Sequence, residues 1–184
     1  MKTTWTPLFA WLLAALAALA LASAAPNEAG VMGQLPTIMA RTLDRQAVRV
    51  PDGLPGERTL ALIAFRGTQQ AHIEGWVQGL DLKDDPSISW LRMPVLNDPG
   101  SVAGRSDIEN KLRRKYPDNA VRARMVPVFT NREHFVRSAG LNGTDQVYAV
   151  GVNRQGEVLA RAEGMFDAGK AQNLRETLQQ RGGF

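Results

Sequence analysis

The sequence predicts an α/β layered domain, with a central β-sheet flanked by helices. In the middle of the chain, short apolar runs of strand length alternate with segments whose apolar residues recur at helical spacing. Near the carboxyl end, two strand-like runs are joined by a short turn and followed by a helix. Strands that alternate with helices and close in a hairpin and helix are typical of this class.

The amino-terminal residues predict an export signal. Lys2 precedes an apolar stretch over residues 8–21, and small residues follow at Ala22 and Ala24. The stretch is shorter than the roughly 20 residues that span a bilayer. We expect a signal peptide over residues 1–24, a flexible segment over residues 25–33 and one domain over residues 34–184. Cleavage near Ala24 would leave a periplasmic or secreted bacterial protein; the alternative is an uncleaved signal that anchors the chain.

The first elements are predicted to be a hairpin and a buried strand. Residues 37–41 and 47–50 are expected to pair, which gives the sheet an amino-terminal β-hairpin extension. Residues 51–56 contain two prolines and two glycines, a composition typical of turns. The unbroken apolar run over residues 59–65 then predicts a central parallel strand covered on both faces.

Helical spacing dominates the middle of the chain. Residues 68–80 place Ile73, Trp76, Val77 and Leu80 on one face. The next strand, over residues 88–96, contains a proline that suggests an edge strand or a bulge. Capping-box patterns predict helices beginning at Ser106 and at Thr130, the second ending near Gly140.

The carboxyl-terminal third predicts a hairpin and a helix. Residues 146–152 and 157–161 are strand-like runs on either side of a turn over residues 153–156. Asp167 is expected to cap a final helix with an apolar stripe, which consists of Ala171, Leu174 and Leu178.

Composition excludes several functions. The chain has no cysteine, so it can form neither a disulfide nor a thiolate nucleophile. Its net charge of +4 would suit an acidic protein or anionic lipid outside the cytosol, and we expect no nucleic-acid partner. Membrane contact is expected only through an uncleaved signal or a basic helix, whose alternative role is a solvated helix face. The basic helix carries Lys111, Arg113, Arg114 and Lys115.

Two parts of the chain resemble the thioredoxin-like superfamily. Residues 34–56 are similar to the lead-in of peroxiredoxins and periplasmic thiol-disulfide proteins, and residues 143–159 are similar to their late hairpin. The resemblance implies a thioredoxin-like fold over most of residues 34–180. The family's catalytic cysteines lie in the turn where this chain has residues 66–72, and Asp145 stands where the family has a cis-proline. The resemblance therefore implies a redox-inactive protein.

A narrower resemblance involves four short segments: residues 131–134, 142–143, 147–148 and Gly156. They are similar to the late part of the mitochondrial factor that assembles the membrane sector of ATP synthase. That factor resembles a thioredoxin-type domain without the dithiol. This resemblance implies an assembly or chaperone role without chemistry.

The thioredoxin-like plan implies that residues 66–70 lie beside Asp145. Thr68 would then cap a helix whose free N–H groups favour anions, and Arg66 would offer a planar fork to a carboxylate or phosphate. The alternative is a structural ion pair between Arg66 and Asp145 with no ligand. The candidate ligand- or partner-binding residues are Arg66, Thr68, Gln69, Gln70, His72 and Asp145.

No catalytic residue, metal or cofactor is predicted. The only two histidines, His72 and His134, lie on different predicted elements, and neither has a second ligand at metal-binding spacing. We therefore expect a binding or assembly module for a partner protein. The alternative is a non-thiol enzyme or a small-anion-binding protein that uses Arg66 and Asp145.

Overall fold

The computed structural model of the protein describes residues 30–179. The predicted signal peptide, its cleavage near Ala24 and the first residues of the segment 25–33 lie outside the described residues. Later in that segment, Met32 N–H donates to the Val158 carbonyl (2.9 Å), and Val158 N–H donates to the Gly33 carbonyl (2.8 Å). Of the helices between residues 30 and 179, none is both long enough and apolar enough to span a bilayer.

The amino-terminal hairpin is confirmed. Strands β1 (Ile38–Arg41) and β2 (Ala47–Val50) pair antiparallel. The Thr42 hydroxyl closes the connecting turn by accepting a hydrogen bond from Gln46 N–H at 3.0 Å. Arg45 takes a positive φ of 77° within this turn.

A five-stranded mixed sheet forms the centre of the domain, in the order β5-β4-β3-β6-β7. The predicted central strand β3 is confirmed as central, but it is parallel only to β4 and antiparallel to β6. Strand β5 continues the parallel side, and β7 continues the antiparallel side. The strands are β3 (Arg58–Ala64), β4 (Trp90–Asn97), β5 (Val128–Thr130), β6 (Tyr148–Asn153) and β7 (Val158–Glu163).

Pro94 does not mark an edge strand, because β4 lies between β3 and β5. Its neighbour Arg92 exchanges backbone hydrogen bonds with the segment before β5, and pairing with β5 resumes only at Val95. Pro94 lies in this gap, where its missing N–H removes no hydrogen bond from a continuous ladder. The proline is thus tolerated by an interruption of pairing inside the sheet.

Helices cover both faces of the sheet. Side chains of α1 and α5 pack on one face around Leu60, Leu62 and Trp76. The other face packs against α4 and the hairpin around Ile63 and Phe135. The helices are α1 (Gln70–Gly79), α2 (Val102–Lys115), α3 (Asn119–Ala123), α4 (Arg132–Ser138) and α5 (Ala168–Gln179).

Two predicted helix starts were wrong and one was right. Helix α2 begins four residues before the predicted Ser106, because the Ser101 hydroxyl accepts a hydrogen bond from Gly104 N–H at 3.1 Å. Helix α4 is capped by Asn131 rather than by Thr130. The predicted cap of α5 is confirmed, since the Asp167 carboxylate accepts from Lys170 N–H at 2.9 Å.

Gly79 allows the last turn of α1 to approach an aromatic ring. A Cβ at this position would lie 2.4 Å from ring atoms of Phe166, whereas a Cβ at Gly75 would meet nothing closer than 3.8 Å. Phe166 packs edge-to-face on Trp76, with ring centroids 5.3 Å apart. A glycine that weakens the helix is therefore explained at Gly79 but not at Gly75.

Helix α1 ends in a Schellman motif whose left-handed position is an aspartate. Leu82 N–H donates to the Val77 carbonyl, and Asp81 N–H donates to the Gln78 carbonyl, both at 3.0 Å. Asp81 itself has φ 55°. Glycine is the usual residue at such a position, so the backbone of α1 carries strain there.

Candidate functional site

The turn that follows β3 presents an exposed surface at the carboxyl edge of the sheet. Arg66 is extended (φ −139°, ψ 147°), and residues Gly67–Gln69 form a single 3-10 turn that leads into α1. Arg66, Gly67 and Thr68 are exposed, whereas Gln69 is only 5 % exposed. The candidate residues therefore divide into an exposed rim and one buried side chain.

Gln69 holds the turn in place from inside. Its Oε1 accepts hydrogen bonds from the backbone N–H groups of Phe65 (2.7 Å) and Arg66 (3.1 Å). Its Nε2 donates to the carbonyl of Thr144 at 2.9 Å. One amide thus joins the end of β3 to the loop that precedes β6. Its burial and its three hydrogen bonds give Gln69 a structural role in this turn.

Arg66 and Asp145 meet, as the structural alternative predicted. The Arg66 guanidinium donates to the Asp145 carboxylate at 2.6 Å, and the two side chains are 54 % and 80 % exposed. An ion pair this exposed contributes between about 0 and 1 kcal/mol. The pair therefore contributes little to the free energy of unfolding, and both side chains stay accessible to a partner.

The remaining candidates are arranged differently from expectation. Thr68 does not cap α1, because it lies inside the 3-10 turn and makes no capping hydrogen bond. The predicted Thr68 cap is therefore wrong, whereas an anion at this helix start stays a prediction. Gln70 is half-buried and His72 is half-buried one residue before the buried Ile73. The structure brings together Arg66, Gln69 and Asp145 but gives Thr68 and His72 no role in that network.

The predicted basic helix is α2, and one of its arginines is used internally. Arg113 is largely buried, donating from Nε to the Leu43 carbonyl at 2.8 Å and pairing with Glu109 at 3.1 Å. It ties the helix to the hairpin turn. Contact of this helix with a membrane stays a prediction, now limited to the three exposed basic residues: Lys111, Arg114 and Lys115.

A cavity of about 100 Å³ opens between α1 and α2, beside the turn at Arg66. Its floor is formed by the carboxyl ends of the parallel strands β3 and β4. Most of its lining is apolar, and it also includes three cationic side chains: Arg66, Arg92 and Lys115. The apolar part of the lining includes Leu62, Ile73, Met93, Leu96 and Leu112.

Sequence reasoning missed an ion pair whose arginine is buried and lines this cavity. Arg92 on β4 is 4 % exposed and forms a two-pronged pair with Glu74 on α1, with Nη2 to Oε2 at 3.1 Å. The Nε atom of Arg92 is buried without a hydrogen-bond partner in the described part of the chain. An arginine inside an otherwise apolar strand was the signal that could have found it.

Tyr116 lies close to this charged pair. Burial raises the pKa of its hydroxyl above the usual 10.0, with smaller opposing effects from Arg92 and Glu74. The phenol is therefore neutral at physiological pH. Within residues 30–179, no group of three histidine or carboxylate side chains is arranged to hold a metal ion.

A polar cleft of about 600 Å³ lies at the carboxyl ends of β4 and β5, and Thr144 reaches its wall. Many of its polar groups are engaged within the protein. Asp98 pairs with Arg105, and Asn131 caps α4. The cleft gives the sheet edge near Asp145 an open polar surface rather than a closed site.

Comparison with known proteins identifies the fold only through structure. No protein-family model matches the chain, and no curated protein matches it either. Solved structures do match. A proposed electron transfer protein from Aquifex aeolicus VF5 superposes with a TM-score of 0.57 at 10% identity, covering 83% of this chain and 96% of that one.

Two further structures are similar over most of their length. BsSco, a member of the Sco family of cytochrome c oxidase assembly proteins, has a TM-score of 0.54 at 15% identity, covering 81% of this chain and 95% of its own. The exposed lipoprotein thioredoxin of Streptococcus pneumoniae has a TM-score of 0.50 at 11% identity, covering 77% and 99%. At such identities the likeness concerns the fold alone. The chain therefore has a thioredoxin-like fold without a single cysteine, and thiol-disulfide chemistry is closed to it.

Proposed function

We propose that the protein is exported and holds a partner protein, without chemistry of its own, at the docking edge formed by Arg66, Gly67, Thr68 and Asp145. The observation that carries this proposal is the contrast between these exposed residues and the buried amide of Gln69 behind them. A surface whose backbone is fixed from inside loses little conformational freedom when a partner binds. Such a surface is suited to recognition.

Binding is favoured over catalysis by the groups at this edge. The chain supplies no thiol, and the Arg66 charge is already balanced by Asp145 at 2.6 Å. BsSco, whose fold is similar, belongs to a family of assembly proteins, and this supports an assembly role for the present chain. The S. pneumoniae relative in fold is an exposed lipoprotein, which supports an extracytoplasmic location.

The alternative is a small-anion-binding protein or a non-thiol enzyme that uses Arg66 and Asp145. An anion at Arg66 would compete with the Asp145 carboxylate, which already lies 2.6 Å from the guanidinium. A compact, exposed anion gains little from such an exchange in water. A protein partner does not face this cost, because it can engage both members of the pair.

Site-specific photo-crosslinking in living cells tests the proposal. The probe is placed at Thr68, which is exposed at the docking edge, and a matched control probe at Asn173, which is exposed on α5. We expect one protein band with the probe at Thr68 and no such band at Asn173. Gln69 is avoided because it is buried and structural.

The same cells test export. Mass spectrometry of the protein is expected to give a mature chain that begins at Ala25. A mature, folded protein that gives no band at Thr68, and none with a second probe at Asp145, would contradict the binding role. A mass that includes residues 1–24 would instead contradict cleavage, without contradicting partner binding at the docking edge.

A further inference from the structure

The cavity between α1 and α2 has the position of a ligand site. Open α/β sheets bind ligands outside the carboxyl ends of their parallel strands, and β3 and β4 end at its floor. Protein interiors are otherwise close-packed, and an unfilled apolar void costs stability. A space of about 100 Å³ kept open at this place is therefore a candidate for occupation.

The size and the apolar walls of this cavity fit a small apolar group. Apolar cavities of about 150 Å³ in other proteins take up single aromatic rings. The lining residues Arg66, Gly67 and Lys115 are exposed, so the cavity reaches the surface there and part of a ligand would stay outside it. One aromatic ring or one short branched chain is the largest body that the apolar walls can cover.

The cationic side chains of the lining favour an anionic group at the other end of the ligand. The lining includes three cationic side chains and no acidic one. Arg66 and Arg92 are balanced by Asp145 and Glu74. The ammonium group of Lys115 lies 5.6 Å from the centroid of the Tyr116 ring, and no carboxylate of the described residues forms an ion pair with it. Lys115 thus leaves a positive charge at the mouth of an apolar cavity.

Arg92 adds a second polar feature. Its two terminal nitrogens are occupied by Glu74, while its buried Nε has no partner in the described residues. A buried donor without an acceptor costs about 1–3 kcal/mol. Arg92 is therefore fully engaged or enclosed, and Lys115 is the cationic side chain left for a ligand.

We propose that the cavity between α1 and α2 binds a small monocarboxylate with an aromatic or branched aliphatic body, the body lying against Ile73 and Met93 and the carboxylate facing Lys115. The cavity shares Arg66 and Gly67 with the docking edge, but Ile73, Met93 and Lys115 lie outside that edge. Binding of a small ligand to the purified protein therefore stands or falls independently of a partner protein. Benzoate is the probe for the site, and benzyl alcohol is a neutral compound with the same aromatic ring and a similar size.

Backbone amide NMR titration of the purified protein measures binding and locates it. We expect benzoate to bind with a dissociation constant of about 1 mM, the affinity typical of so small a ligand. The Gly67 and Tyr116 amides should shift most. Benzyl alcohol should bind at least about fivefold more weakly, because it cannot pair with a lysine. The proposal is overturned if benzoate does not bind at a concentration 20-fold above the expected dissociation constant. It is also overturned if benzoate binds but the shifted amides lie elsewhere in the protein.

Two variants separate the contributions of charge and space. Lys115→Met should weaken benzoate binding about fivefold and leave benzyl alcohol binding unchanged, whereas the control Lys111→Met, on the same helix but outside the cavity, should change neither. Ala64→Leu should fill the cavity and abolish binding of both probes. Equal benzoate affinity in Lys115→Met and the wild type refutes the charge assignment. Should Ala64→Leu fail to fold, the wild-type shift map still decides the location.

Discussion

Replacement of Gln69 by leucine tests whether its amide holds the turn together. Leucine keeps a similar volume but removes the acceptor for two backbone N–H groups and the donor to the Thr144 carbonyl. Phe65 is buried, so its N–H would stay unsatisfied at a cost of about 1–3 kcal/mol. Arg66 is exposed and Thr144 is half-buried, so water can replace part of the hydrogen bonding that their backbone groups would lose. We expect unfolding to become easier by about 2–3 kcal/mol.

Thermal unfolding followed by circular dichroism is the assay. For a domain of this size, a loss of 2–3 kcal/mol corresponds to a fall in Tm of about 5–10 °C. Gln70→Leu is the matched control, because Gln70 is next in the chain and does not take part in this network. The control should melt within about 2 °C of the wild type. A Gln69→Leu protein that melts as high as the control would refute the assigned role.

Gln69→Glu makes a second test of the same hydrogen bonds. A carboxylate can accept from the two N–H groups but cannot donate to Thr144, whereas a protonated carboxyl can. Burial raises the pKa of such a group above its unfolded value. The stability of Gln69→Glu relative to the wild type should therefore rise as the pH falls through that raised pKa. A stability difference that is independent of pH between 4 and 8 would contradict the Thr144 contact.

Four further substitutions have predicted effects. Gly79→Ala should lower Tm, because the new Cβ would lie 2.4 Å from the Phe166 ring and displace it, at a cost of about 1–3 kcal/mol. Gly75→Ala has room for its Cβ. It should therefore raise the free energy of unfolding, measured in urea, by up to about 1 kcal/mol. Asp81→Gly should also stabilise the protein, by about 0.5–1 kcal/mol, since it relieves the positive φ of 55° at the end of α1; an unchanged urea midpoint would contradict this. Hydrogen bonds from Arg105 and from a backbone N–H hold the pKa of Asp98 below its ordinary 3.8, so Arg105→Met should raise it in a carbon-13 NMR titration. The stability that Asp98 contributes is present above the unfolded pKa and is lost as the pH falls through the lower folded value.

The order of strands and helices could be predicted because it depends on local patterns. Alternating apolar runs located the hairpin, the central strand and the late hairpin, and all are present. Helix starts were less predictable. Ser106 and Thr130 each begin a capping-box pattern, yet Ser101 and Asn131 make the caps. Several residues near a helix start can cap it, and tertiary packing decides which one does.

The candidate site was predictable in location but not in the role of its residues. The resemblance placed Arg66 beside Asp145, and they meet. The role of Gln69 depends on Thr144, which lies 75 residues away in sequence. The pair of Arg92 with Glu74 depends on the docking of α1 against β4. Local patterns contain no information about such distant contacts, and so both were missed.

The buried pair of Glu74 and Arg92 has a consequence for how related sequences can diverge. Loss of Glu74 leaves the buried charge of Arg92 unpaired, at a cost of up to about 3–5 kcal/mol, which is a large part of the stability of an ordinary domain. Loss of Arg92 costs less, because the Glu74 side chain is 33 % exposed and water can reach it. Replacement of both by apolar residues can be neutral. Among descendants of a common ancestor, an arginine at position 92 should therefore be accompanied by an acidic residue at position 74. A lineage that keeps the arginine without the glutamate would be expected to have gained another carboxylate beside β4.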